Sequence, residues 1–171
     1  MHQRKKRIAI IAAAILAVLL FLGGILLGRY SRDHHGKLLK RVGLSDLTYT
    51  SSLFYESHIG FHNDGVSLGI YYEIAGEKAE AEIAGWERFS DESIVTRILY
   101  GGMVDNTIYA SYLPAEVKPL FSDLTAGSYL LLDEHGRKLK YDTAAGDLPL
   151  NFVLAVYNAE DETLYVLKSD L

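Results

Sequence analysis

The longest unbroken apolar stretch in the chain is Ile8–Gly28, IAIIAAAILAVLLFLGGILLG, which holds no charged or strongly polar side chain. As a helix its 21 residues would extend about 32 Å, enough to cross a hydrocarbon core of roughly 30 Å. Beyond residue 43 the pattern breaks into short segments. Ser51–Ser57 and Val66–Ile74 are rich in aromatic and β-branched residues. They flank HIGFHNDG at 58–65, whose Asn-Asp-Gly marks a turn, and the spacing predicts a β-hairpin with a loop longer than two residues. Lys78–Ala84 suits a helix. Ser90–Tyr100 suits one better: Ser90 can cap it, Asp91 and Glu92 favour its first turn, Phe89 and Ile94 form a hydrophobic staple, and Ile94, Val95, Ile98 and Leu99 make one apolar stripe before Gly101-Gly102. Thr107–Leu113 predicts a strand, Pro114–Phe121 a short helix with proline first, and Ser128–Asp133 an apolar strand. Asn151–Tyr157 and Thr163–Lys168 predict a second hairpin. The sum is an α+β fold: a single N-terminal transmembrane helix, then one small domain with a mostly antiparallel sheet of about five or six strands and two or three helices.

The flanks of the apolar run decide what kind of segment it is. A secretory signal has an apolar core of about 7–15 residues and a small-x-small cleavage site. This run is longer, and Arg29-Tyr30-Ser31-Arg32-Asp33 after it offers no such site. A lipoprotein signal needs a cysteine, and the chain has none. The expectation is an uncleaved span. Arg4, Lys5, Lys6 and Arg7 directly abut it, and although Arg29, Arg32, Lys37, Lys40 and Arg41 follow it, the first helix usually sets topology and long C-terminal domains translocate largely regardless of charge. The expected organisation is a cytoplasmic basic terminus (1–7), a transmembrane helix (8–28), a juxtamembrane connector (29–43) and an extracytoplasmic α+β domain (44–171). The connector's KLLKRV reads equally as an amphipathic turn on anionic headgroups or as a continuation of the span. Within the span, Ala9, Ala13, Ala17, Gly24 and Gly28 recur at spacings of four and seven. Such a stripe lets helices approach closely and supports a transmembrane homodimer or pairing with another envelope protein; the plainer alternative is a stripe facing lipid.

Charge sharpens the division. Residues 1–41 hold nine Lys/Arg and one Asp, net +8; residues 42–171 hold eight Lys/Arg and 21 Asp/Glu, net −13. A domain at −13 is not expected to bind nucleic acid, whose recognition rests on cations that neutralise phosphate. It favours a cationic partner or weak Ca²⁺ binding; the plainer alternative is that it serves solubility. The absence of cysteine from the sequence excludes thiol nucleophiles, disulfide exchange and thiolate zinc sites. With no Asn-x-Ser/Thr sequon either, the composition suits a bacterial cell surface.

Candidate chemistry is sparse. Gly65-Val66-Ser67-Leu68-Gly69 matches G-x-S-x-G, but a nucleophile elbow needs a strand, a sharp turn and then a helix, and here the motif runs into a predicted strand. His58, His62 and Asp64 are the candidate metal ligands: imidazole and carboxylate suit zinc or manganese, yet the spacing is that of a loop, where Asp64 can instead bond its own backbone. His34-His35 reads as an exposed pair in the connector. Asp133-Glu134 and Glu160-Asp161-Glu162 could form a glycosidase-like carboxylate pair only if the two loops meet at the required separation. The twelve tyrosines fall mostly on predicted strands, where they suit half-buried sheet surfaces.

Two stretches carry a resemblance. HIGFHNDG at 58–65 resembles an HGGFHGDG-like loop. NFVLAVY at 151–157, with Asn158, Asp161, Thr163, Leu164 and Tyr165, resembles an NFTLAIYDTDTNTLYY-like ending, preceded as here by a segment like GSYLLLDEH at 127–135. Both are similar to motifs of short, membrane-anchored or lipoprotein-like extracytoplasmic proteins of Gram-positive bacteria. The resemblance implies a compact extracytoplasmic domain over roughly residues 50–168 and supplies no activity. Ile59 and Asn63 replace glycines of the motif. The expected function is therefore a membrane-anchored interaction module, not an enzyme, without a cofactor; the alternative is a small surface hydrolase, metal-assisted through His58, His62 and Asp64.

Overall fold

The computed structural model describes residue 16 and residues 34–58, 65–89, 94–104, 107–121, 124, 126–139 and 151–170. The chain divides into two compact units, Met1–Gly36 and Lys37–Leu171. In the first, Leu16 is helical and exposed. The rest of the 8–28 run, including Ala9, Ala13, Ala17, Gly24 and Gly28, lies outside the described residues. Among the described residues no helix is long and apolar enough to cross a membrane.

The second unit is built on one antiparallel sheet of six strands. In chain order these are β1 (Ser51–His58), β2 (Gly65–Tyr72), β3 (Glu87–Phe89), β6 (Gly127–Asp133), β7 (Phe152–Asn158) and β8 (Thr163–Asp170); in space they run β1-β2-β8-β7-β6-β3. A separate ribbon pairs β4 (Gly102–Val104) with β5 (Thr107–Tyr109). The helices are α1 (34–41), α2 (Glu77–Ala84) and α3 (Ile94–Tyr100), with a 3₁₀ turn at Lys118–Phe121. The α+β class and both predicted hairpins are therefore present.

Both faces of the sheet are buried, and this explains why the central strands read as continuous apolar runs rather than alternating ones. Side chains alternate along a strand, so each run feeds two cores. Phe152, Leu154 and Val156 join Leu131, Tyr165, Leu167, Leu68 and Ile70 beneath α3, Val117 and Phe121. Val153 and Ala155 join Leu130, Leu132, Leu164, Val166 and Tyr71 beneath Ala79, Ile83 and Trp86. Leu38, Leu39 and Val42 belong to this second core. The second unit runs from Lys37, so KLLKRV, read as part of the connector, contributes three side chains to this core. His35, read as exposed, is buried, and desolvation, reinforced by the neighbouring His34, pushes its imidazole below the usual range.

Between the sheet's two halves the chain departs from the predicted elements for reasons of hydrogen bonding. Thr107–Leu113 is strand only as far as Tyr109. Its remainder turns back to satisfy the C-terminal carbonyls of α3, which an isolated helix end leaves unpaired. The Ser111 hydroxyl donates to the Leu99 carbonyl, the Tyr112 N–H to that of Ile98 at 3.0 Å, and the Gly101 N–H to that of Arg97 at 2.9 Å. Gly101 has φ 74°, the left-handed stop that glycine provides. Pro114–Phe121 becomes turns followed by the 3₁₀ segment. The predicted cap Ser90 lies outside the described residues.

Candidate functional site

The sequence-derived candidates fall in three places. His58 ends β1 opposite Gly65; its side chain, His62 and Asp64 lie outside the described residues. Ser67 sits mid-strand in β2, between Glu56 on β1 and Lys168 on β8. It is buried, in extended backbone without the strand-to-helix turn that an exposed nucleophile requires. The two acidic loops lie at opposite ends of the sheet. Asp133 pairs with Phe152 at the start of β7, whereas Asn158 at its end pairs with Thr163, just after Glu160-Asp161-Glu162. Seven residues of β7 separate them by about 20 Å, too far for a glycosidase pair. Among the described residues no group of three His, Asp or Glu side chains could hold a metal ion.

What the fold does assemble is a pocket of about 340 Å³ at the Asp133 end of the sheet. Its construction follows from strand parity. On β8, Val166 faces the α1 side, so Lys168 and Asp170 project to that side too. Val153, the cross-strand partner of Lys168, is on the same face one strand over. Glu134, next in phase after Leu132, continues that face beyond the end of β6. Thus Lys168 and Asp170 form one wall, Glu134 and His135 the other, two strand spacings or about 10 Å away, with Val153 between them and Phe152, whose side chain turns to the opposite core, at the edge. Arg41, the last residue of α1, completes the rim.

The charges in this pocket are held differently. Lys168 Nζ pairs with Asp170 Oδ2. Glu134 receives Asn151 Nδ2 at 3.5 Å and has His135 Nε2 at 3.3 Å. Arg41 donates from Nη1 to the Glu134 carbonyl at 3.1 Å. That bond uses one of five guanidinium donors and no carboxylate. The wall carrying Glu134 and His135 is stiffened from behind by Asp133. Its Oδ1 accepts the His135 and Arg137 N–H groups, both at 2.9 Å, while Oδ2 takes Arg137 Nε at 2.7 Å and Nη2 at 2.6 Å. The Arg137 backbone bond, with its side chain and the His135 N–H, holds the Asp133 carboxyl below its usual range. Gly136, at φ 79°, lets the turn close.

Sequence reading missed this pocket because its parts have ordinary reasons to be where they are. Arg41 reads as part of the anchor's basic flank. The one available signal was Lys168-x-Asp170, whose spacing puts both charges on one face of a strand. No protein-family model, curated protein or solved structure matches the chain.

Proposed function

We propose that this chain is a single-pass membrane protein that displays an acidic α+β domain outside the cytoplasm as a non-enzymatic interaction module. The observation that carries the reading is the 21-residue apolar run abutted by Arg4-Lys5-Lys6-Arg7 and joined to a segment of net charge −13. A sheet covered on both faces supports a role through edges, loops and the end pocket rather than through an open sheet face. Kinship with short anchored extracytoplasmic proteins of Gram-positive bacteria belongs to the same proposal.

Protease added to intact protoplasts tests it. Digestion of residues after about 45 with survival of an anchor fragment is the expected result. Full protection of the domain until the membrane is opened would overturn both the topology and the role.

A further inference from the structure

We propose that the pocket at the end of the sheet binds a free α-amino acid with an aliphatic side chain. The inference goes beyond the interaction-module reading and does not depend on the topology, because every group it uses lies in Lys37–Leu171.

The volume, about 340 Å³, is at the lower end of the range for small-molecule sites. Arg41 and Lys168 face Glu134 and Asp170, so the pocket sets two fixed cations against two carboxylates. A simple anion would have to approach through the field of a segment at −13, and a simple cation would leave Arg41 uncompensated. A ligand carrying both charges on adjacent atoms meets neither penalty.

The groups with unused capacity are placed for it. Arg41 keeps four donors beyond its bond to the Glu134 carbonyl, and a guanidinium fork matches a carboxylate. Asp170 engages Lys168 through Oδ2, leaving Oδ1 for an ammonium. A zwitterion can therefore set its carboxylate toward Arg41 and Lys168 and its ammonium toward Asp170. Its side chain then rests on Val153, the buried apolar floor on this face of the sheet. The Asp133–Arg137 clamp fixes the opposite wall before any ligand arrives, which lowers the ordering cost of binding.

The test uses the full, isotope-labelled chain in lipid nanodiscs, with calorimetry and protein-observed NMR. L-Valine is compared with its two halves, isobutylamine, which lacks the carboxylate, and 3-methylbutanoate, which lacks the ammonium. We expect valine to bind, each half to bind at least tenfold more weakly, and Arg41→Gln or Asp170→Asn to weaken valine at least tenfold while the unfolding midpoint stays near that of the parent. The Lys37–Leu171 signals that shift with valine should be those of residues 41, 134, 153 and 168–170. Equal binding of 3-methylbutanoate and valine would make this a plain anion site and overturn the proposal. So would absence of valine binding by the folded parent chain, or valine binding unchanged in both variants.

Discussion

Single residues in this fold are constrained most tightly where an aromatic ring lies on a glycine. A Cβ at Gly69 would stand 2.7 Å from Tyr71 Oη and 2.9 Å from a ring carbon. Tyr71 is fully buried, so its ring cannot swing aside. Gly69→Ala should therefore cost about 1–3 kcal/mol by overpacking, read as a lower denaturation midpoint at unchanged slope. The same glycine read from the sequence as part of a G-x-S-x-G is thus a packing residue. Tyrosine ionisation supplies a second prediction. Burial pushes Tyr165 up to about 12, and burial together with the hydrogen bond to Glu87 does the same for Tyr129. The unfolded chain loses these protons first, near pH 10, so between about pH 10 and 12 it binds fewer protons than the native state and stability falls as pH rises. Denaturation midpoints across that window should decline, and Tyr129→Phe should make the decline shallower.

At the scale of elements, the strands were legible and the pieces between them less so. NFVLAVY and TLYVLK announce strands by β-propensity and a turn between them. What the sequence could not show is that both faces are covered, since a continuous apolar run suits several environments. Residues 37–43 make the point. Leu38, Leu39 and Val42 are a narrow apolar stripe with Lys37, Lys40 and Arg41 exposed. That pattern fits a headgroup surface as well as a protein core, and only tertiary packing decides. Leu39 is 4% exposed; Leu39→Ala should cost about 2–5 kcal/mol in equilibrium unfolding, whereas Lys40→Ala should be close to neutral. A neutral Leu39→Ala would return this segment to the connector. The end of β5 failed for a different reason: Ser111 and Tyr112 serve the carbonyls of α3, a demand invisible to strand propensity. The pocket was illegible because it is made by register, which brings residues 41, 134, 153 and 168 together from α1, the turn after β6, β7 and β8.

At the scale of the whole molecule, the account joins two chemically opposed parts. On the proposed topology the basic, apolar terminus suits a membrane and its anionic inner surface, and the acidic domain lies on the opposite side. If the Ala/Gly stripe pairs helices, Gly24→Leu combined with Gly28→Leu should weaken self-association in a membrane reporter, while Leu19→Ala and Ile25→Ala change it less. The central claim, an anchored domain outside the cytoplasm, is open to a cleaner measurement because the chain has no cysteine. Single variants Gln3→Cys and Glu160→Cys, expressed in a bacterial host, can each be treated in intact cells with a membrane-impermeant maleimide; Glu160 is exposed in the β7–β8 turn. The account predicts that Glu160→Cys is labelled in intact cells and Gln3→Cys only after permeabilisation. Labelling of both only after permeabilisation, or of Gln3→Cys alone in intact cells, would contradict it.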